Sequence, residues 1–169
     1  MSELASEPSM HGWENPTAGE RQQILRETRT LAMVGASPNP ARASNFVATY
    51  LLSSSSYEVW FVNPNATEIL GRPVYPSLAD LPGVPDLVDV FRRMEDIPAV
   101  LDDVLELEGV RTFWLQFGLY DETLAKRGEA AGLTVVMDRC VKVEHARFHG
   151  GLHLAGFDTG VISSKRTRG

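Results

Sequence analysis

The sequence predicts an α/β protein: a Rossmann-like, three-layer domain with a mainly parallel sheet of about five strands. Short apolar runs rich in β-branched and aromatic residues recur along the chain, and amphipathic helical patterns lie between most of them. The runs are apolar on both faces, which is typical of parallel strands covered by helices on both sides. Right-handed crossovers then make a Rossmann-like topology the simplest arrangement.

The predicted elements follow one another in order. Residues 1–16 show neither the helical nor the strand periodicity of apolar residues and are expected to be a flexible extension. Thr17 and Glu20 have the spacing of a capping box, which predicts a first helix ending near Thr28. The predicted strands are Thr30–Ala36, Tyr57–Asn63, Leu87–Phe91, Thr112–Phe117 and Leu133–Asp138. Further helices are predicted over Asn45–Ser53, Pro98–Leu107 and Asp121–Ala131. The proline-rich crossover Pro64–Pro85 is expected to be irregular, with at most one helical turn at Leu78–Leu81.

Composition limits the class of partner. The chain has 169 residues, enough for one domain, which we expect over 17–147 with a C-terminal tail over 148–169. Its 16 basic and 22 acidic side chains give a net charge of -6, which argues against nucleic acid and anionic membrane surfaces. No apolar run approaches the ~20 residues of a spanning helix. The single cysteine excludes an internal disulfide, so a cytoplasmic location is expected.

The loop after the first predicted strand carries a candidate anion site. Gly35 allows a tight turn where a ligand can approach the backbone, and Ala36 and Ser37 follow it. Ser44 lies at the start of the next helix, whose N–H groups point into the same space, and Arg42 adds a fixed positive charge. These residues are a candidate diphosphate cradle; the alternative is an ordinary strand-to-helix turn with a good N-cap.

Two more predicted strands end at the same edge of the sheet, where such folds bind ligands. The third strand ends in Phe91, followed by Arg92 and Arg93. Adjacent arginines are either solvated surface charges or, beside a phosphate cradle, ligand contacts. Gln116, near the expected switch point, either serves the ligand or satisfies a buried backbone group.

A nicotinamide dinucleotide is disfavoured as the ligand. The first loop is not G-x-G-x-x-G, and the second strand ends in the neutral pair Asn63 and Pro64. NAD-binding proteins usually place an acidic residue there for the ribose hydroxyls. An NAD(P)-binding Rossmann oxidoreductase therefore remains only as an alternative.

Six motifs, in this order, are shared with a known family: Gly35-Ala36-Ser37-Pro38, Val62-Asn63-Pro64, Gly71, Asp89-Val90-Phe91-Arg92, Trp114-Leu115-Gln116-Phe117-Gly118 and Asp138-Arg139-Cys140. Over Thr30 to Arg147 the chain resembles the small stand-alone bacterial CoA-binding proteins, which are similar to the CoA-binding domain of the succinyl-CoA synthetase alpha subunit. The resemblance implies that coenzyme A lies across the strand ends. It implies that Gly35, Ser37 and the following loop bind the diphosphate, that Asn63-Pro64 lines the adenosine side, and that Phe91-Arg92 lies beside the ligand.

Residues with catalytic or metal-binding chemistry are few. His145 and His149 have the spacing of two ligands on one helix face, but no third ligand is obvious, so a packing or solvated role is favoured over zinc. Cys140 is either a small buried apolar residue or, if Arg139 lowers its pKa, a thiol able to form a mixed disulfide with CoA.

The expected function is binding of coenzyme A or an acyl-CoA without catalysis, as a carrier or sensor. The resemblance implies that the phosphohistidine of the related synthetases lies outside this domain. One alternative is an acyl-CoA ligase subunit that needs a partner chain, and a weaker one is an adapter that uses the 148–169 tail to contact a protein. A homodimer or another protein partner is left open.

Overall fold

A single seven-stranded sheet organises residues 12–149, the part of the chain that the computed structural model describes. The strands are β1 (Thr30–Val34), β2 (Glu58–Val62), β3 (Glu68–Ile69), β4 (Arg72–Tyr75), β5 (Leu87–Val90), β6 (Thr112–Leu115) and β7 (Thr134–Val136). The helices in these residues are α1 (Ala18–Glu27), α2 (Ala43–Ser54), α3 (Ile97–Leu105), α4 (Glu122–Ala130) and α5 (Val141–His149). None of them is long and apolar enough to cross a membrane.

The strand order is β3-β4-β2-β1-β5-β6-β7. Neighbouring strands are parallel except for β3 and β4, which are antiparallel. From β1 the chain first adds strands on the β2 side and then returns to add β5, β6 and β7 on the other side. The order therefore reverses between β1 and β5, and the carboxyl edge there is the topological switch point of the sheet.

Helices cover both faces of the sheet, as the predicted three-layer architecture requires. One core unites β-strand residues with α3 and α4 through Val100, Leu101 and Leu124, which are buried. The other core lies under α1, α2 and α5 through Leu25 and Leu51, both at most 1% exposed, and through Val141. Successive side chains of each central strand point alternately into one core and the other, which explains why these strands are apolar on both faces. The Rossmann-like α/β fold is confirmed.

The crossover 64–85 is more regular than its prolines suggest. It contains the short strands β3 and β4, joined by Leu70 and Gly71, whose φ angles are 50° and 78°. Two consecutive residues with positive φ are typical of a tight hairpin turn. A 3-10 turn at Leu78–Asp80 matches the predicted helical turn. The expected count of five strands was therefore too low, because a two-residue strand and a strand containing Pro73 carry almost no periodic signal.

Part of the expected N-terminal extension packs against the domain. Trp13 is 8% exposed, and its indole N–H donates to Glu129 of α4 at 3.0 Å. Asn15 makes two hydrogen bonds with the backbone of Met137, of 2.7 Å and 2.9 Å, just after β7. The structure thus places residues 12–16 along the β7 edge. Residues 1–11 and 150–169, which include almost all of the predicted tail, lie outside the described part of the chain.

Candidate functional site

Gly35 brings two loops into contact at the switch point. It follows β1, has a φ of 87°, and donates its N–H to the Val62 carbonyl at 3.0 Å. A Cβ built at this position would lie 2.4 Å from the carbonyl oxygen of Phe91, which follows β5. Only glycine fits this approach of one backbone to another.

The loop between β1 and α2 is held by short polar side chains. The Ser37 hydroxyl accepts from the Asn39 N–H at 3.1 Å, and the Asn45 amide donates to the Ser37 carbonyl at 3.0 Å. Arg42 is the N-cap residue of α2, and its side chain makes no capping hydrogen bond. Because the Asn45 N–H donates to the Arg42 carbonyl at 3.0 Å, the N–H groups of Ala43 and Ser44 are the ones available to an anion at the helix N-terminus.

Asn63 braces the neighbouring strand end. Its carboxamide donates to the Ala36 carbonyl at 2.7 Å and accepts from the Asn65 N–H at 2.7 Å. Both bonds lie at the end of β2, directly beside the turn at Gly35. The side chain thereby connects the loops after β1 and β2 and keeps their positions fixed.

Gln116 connects β6 to the helix that covers the site. It is 7% exposed, and its side-chain oxygen Oε1 accepts a hydrogen bond from the N–H of Val141, the first residue of α5, at 3.2 Å. The Trp114 indole donates to the carbonyl of Arg139, two residues before Val141, at 2.8 Å. The bond from the Val141 N–H satisfies a buried backbone group, as one of the two roles suggested for Gln116 requires, and the role of Gln116 in ligand binding stays a prediction.

These loops surround a cleft of about 1260 Å³ at the carboxyl edge of the sheet. Nine of the ten candidate residues line it, namely Gly35, Ser37, Arg42, Ser44, Asn63, Pro64, Phe91, Arg92 and Gln116. The tenth, Ala36, is 1% exposed and belongs to the core beneath α2, so it contributes only its carbonyl group to the loop. The tertiary structure therefore brings the candidates of four strand ends to one place.

The cleft is cationic although the chain as a whole is acidic. Six basic side chains line it: Arg21, Arg42, Arg92, Arg139, Lys142 and Arg147. The two carboxyl groups that line it are Asp138, which accepts from the Gly118 N–H at 2.7 Å, and Glu144, which pairs with Arg21 at 2.7 Å. The local excess of positive charge suits a ligand with several negative charges.

Four of these six basic residues were not among the site residues predicted from the strand ends. Arg139, Lys142 and Arg147 come from α5 and the turn before it, and Arg21 comes from α1. The Arg21–Glu144 pair is buried on both sides and joins α1 to α5. The i,i+3 spacing of Glu144 and Arg147 was visible in the sequence, but nothing local shows that α5 closes over the cleft.

Cys140 and His145 lie in different environments. Cys140 is half-buried and lines the cleft. His145 is 5% exposed, and its Nδ1 lies 2.8 Å from the Tyr50 hydroxyl. Among residues 12–149 no cluster of His, Cys, Asp or Glu has the arrangement of a metal site. The packing role favoured for His145 therefore agrees with its surroundings, whereas the side chain of His149 lies outside the described residues.

A buried carboxyl group lies in the central sheet below the cleft. Asp89 of β5 is fully buried, and neither carboxylate oxygen has a hydrogen-bond partner. Burial raises the pKa of Asp89 well above its usual range, because the charged form loses its hydration there. Its register neighbours are Met33 and Trp114, which offer it an apolar setting.

The fold and the cleft define a Rossmann-like protein with a cationic cleft at its switch point. The chain belongs to the CoA binding domain family, whose model matches residues 29–146. This agrees with the resemblance over Thr30 to Arg147.

Similar proteins are of two kinds. YneT of Bacillus subtilis is 38% identical over 133 residues, which cover 79% of this chain and 97% of YneT. A hypothetical protein from Pyrococcus horikoshii OT3 has a solved structure with 36% identity and a TM-score of 0.75, covering 80% of this chain and 94% of that one. The ADP-forming acetate–CoA ligase I of Archaeoglobus fulgidus is 25% identical over 122 residues, but these span 67% of this chain and only 18% of the ligase. The chain is thus similar to small proteins over nearly their whole length and to one part of a larger ligase.

Proposed function

We propose that this protein binds coenzyme A or an acyl-CoA across the carboxyl edge of its sheet, as a carrier or sensor that performs no chemistry of its own. The observation that carries this proposal is the cationic cleft at the switch point of a chain that belongs to the CoA binding domain family. The acetate–CoA ligase relative supports it, since that enzyme is named for a reaction with coenzyme A.

The phosphate groups of the ligand match the β1–α2 side of the cleft. The diphosphate would lie beside Gly35, which lines the cleft, and at the N-terminus of α2, whose N-cap side chain leaves the first N–H groups free of a side-chain cap. Arg42 and Arg92 also line the cleft. Arg92 is paired with Asp96 at 3.1 Å on an exposed surface, so a phosphate can compete for its guanidinium.

The adenosine would lie toward β2. Asn63 and Pro64 line that side of the cleft, and the partly buried ring of Phe91 offers an apolar wall. The end of β2 carries no acidic side chain for ribose hydroxyls, and the Asn63 carboxamide is already used in two loop hydrogen bonds. This arrangement favours coenzyme A over NAD.

Binding without catalysis is supported by the carboxyl groups of the cleft. Within the described residues, Asp138 and Glu144 line it, and each is engaged with a neighbouring group. A general acid or base needs a side chain that can exchange a proton with the ligand. The cleft offers binding groups, with no such carboxyl group poised beside them.

The test is the ligand that the full chain retains and binds. Native mass spectrometry of freshly purified protein should show coenzyme A or an acyl-CoA, and calorimetry of the stripped protein should show 1:1 binding of coenzyme A with NAD+ and NADP+ as controls. Retained NAD(P), or equal binding of all three, would contradict the proposal.

A second measurement tests whether the ligand lies in the cleft. Cys140 is the one cysteine of the chain, so intact-mass analysis reports its alkylation alone. Coenzyme A should slow alkylation by iodoacetamide, whereas adenine should protect less. An alkylation rate unchanged by saturating coenzyme A would place binding elsewhere.

A further inference from the structure

Resting on the proposed function, we infer that the preferred ligand is an acyl-CoA with an apolar acyl chain, and that Phe46, Phe117 and Val143 contact this chain. We call these three residues the apolar rim. The inference concerns the substrate class of the same cleft: free coenzyme A would occupy its polar part and leave the rim in water.

The rim consists of apolar side chains that the fold leaves exposed. Phe46 is 59% exposed, Phe117 78% and Val143 50%, and all three line the cleft. The other large apolar side chains that are exposed in residues 12–149, namely Leu70, Val84, Leu105 and Tyr120, do not line it. Exposed apolar residues concentrated in one ligand cleft indicate an apolar ligand group, since scattered ones need no explanation.

The rim residues gather around the first turn of α5. The bond from the Val141 N–H to the Gln116 side chain places Phe117, the next residue, beside the start of this helix. Val143 belongs to the same turn. Phe46 lies one turn before Tyr50 on α2, and Tyr50 contacts His145 of α5, so Phe46 lies on the side of α2 that faces α5.

The strand order puts Phe117 of this rim on the side of β1 opposite to β2. The candidate adenosine residues follow β2, and the diphosphate cradle follows β1, whereas Phe117 follows β6, two strands beyond β1. Adjacent strands are about 5 Å apart, so β6 lies about 10 Å from β1 on the side away from Asn63. A ligand held with its adenosine over β2 and its diphosphate over β1 therefore extends its thioester arm across β5 toward the rim.

The polar and apolar parts of the cleft together describe an amphipathic ligand. Arg42 and Arg92 suit phosphate groups, while the rim, with the half-buried Leu119 beside it, suits a hydrocarbon chain. Covering the rim with an acyl chain removes apolar surface of both partners from water. An acyl-CoA carries both kinds of group in one molecule.

The test compares coenzyme A, acetyl-CoA and octanoyl-CoA by calorimetry on the full chain, with free octanoate as a control. We expect octanoyl-CoA to bind at least about tenfold more tightly than coenzyme A, because burial of two or three methylene groups suffices for that change. Phe117→Ser should remove most of this preference and leave coenzyme A affinity unchanged. Val84→Ser, an exposed apolar residue outside the cleft, is the matched control and should leave all affinities unchanged.

The outcomes separate this inference from the proposed function. Equal affinities for coenzyme A and octanoyl-CoA would overturn the inference and leave the proposed function standing, whereas failure of every CoA compound to bind would overturn both. Equal loss of both ligands in Phe117→Ser would assign the ring to the nucleotide and overturn the inference. A dimer in sedimentation that Phe117→Ser dissociates, with no preference for the acyl ligand, would assign the rim to a second copy and also overturn it.

Discussion

Gly35 and Phe91 touch across the switch point so closely that position 35 has no room for a side chain. The φ of Gly35 is 87°, and a Cβ there would meet the Phe91 carbonyl oxygen at 2.4 Å and its carbonyl carbon at 2.9 Å. The loops after β1 and β5 share this contact, and both line the cleft. One glycine thus supports the sheet edge and the candidate site together.

Gly35→Ala should therefore destabilise the protein by more than about 2 kcal/mol, because strain at positive φ is added to a collision with backbone atoms that cannot rotate away. Urea unfolding followed by circular dichroism measures the change. Gly71→Ala is the matched control: its φ is 78°, but a Cβ there meets nothing within 4 Å, so it should cost only about 1 kcal/mol. Equal losses for the two variants would show that the collision at Phe91 is relieved at little cost.

Removal of either arginine that is a candidate to bind a phosphate group should weaken binding of coenzyme A. Arg42→Ala and Arg92→Ala are each expected to raise the Kd roughly tenfold, since a charge-assisted hydrogen bond contributes about 1.5–3 kcal/mol. Calorimetry at low and high salt checks this, with a weaker salt dependence expected for both variants. Arg26→Ala, an exposed arginine of α1 outside the cleft, should bind as the natural chain does. If neither cleft variant binds more weakly, the arginines do not contact the phosphates.

Asp89 should make the protein less stable as the pH rises. Because burial raises its pKa, the folded state keeps a proton that the unfolded state loses once the pH passes the ordinary pKa of aspartate. The unfolded state then binds fewer protons, so the free energy of unfolding falls with rising pH up to the folded pKa. Asp89→Asn removes the titrating carboxyl group. The variant should have a melting temperature several degrees above that of the natural chain near neutral pH, and the two melting temperatures should differ little near pH 4.

Thermal melting of both proteins across this pH range gives the comparison. Thr112→Val, in the neighbouring strand β6, is a control without a titrating group, and its melting temperature should differ from that of the natural chain by the same amount at each pH. A lower melting temperature for Asp89→Asn at neutral pH would show that the ionised carboxylate is stabilised.

Trp13 should contribute to folding although it precedes the first helix. Trp13→Ala is expected to cost roughly 3 kcal/mol, because the side chain is buried against the core that includes Leu124. Trp13→Phe keeps most of the apolar contact and loses the bond to Glu129, so it should cost about 1 kcal/mol. Denaturant unfolding measures both; no loss in either variant would mean that residues 12–16 do not pack stably at the β7 edge.

Local pattern predicted the central sheet and most of the candidate site. The apolar runs that became β1, β2, β5, β6 and β7 were recognisable because strands buried on both faces have few polar residues. The residues after these strands could then be assigned to one edge, since parallel strands share their carboxyl ends. Ala36 shows the limit of this reasoning: position after a strand does not reveal whether a side chain points into the cleft or into the core.

The hairpin of β3 and β4 could not be predicted in the same way. Its strands are short and partly exposed, and the pairing of Phe61 with Val74 is a contact between residues distant in the chain. The turn at Leu70-Gly71 was the one local signal, and a leucine with positive φ is unusual in such a turn.

The sequence by itself determined the α/β class, the parallel central strands and the glycine turn after β1, because these depend on periodicity and on the conformational range of single residues. Only the tertiary structure decided which charges and apolar groups complete the cleft. Gln116 and Trp114 hold the start of α5, and this position brings Arg139, Lys142 and Val143 to the cleft. Such contacts join residues about 25 positions apart, and no local pattern records them because they depend on how β6 and β7 pair within the sheet.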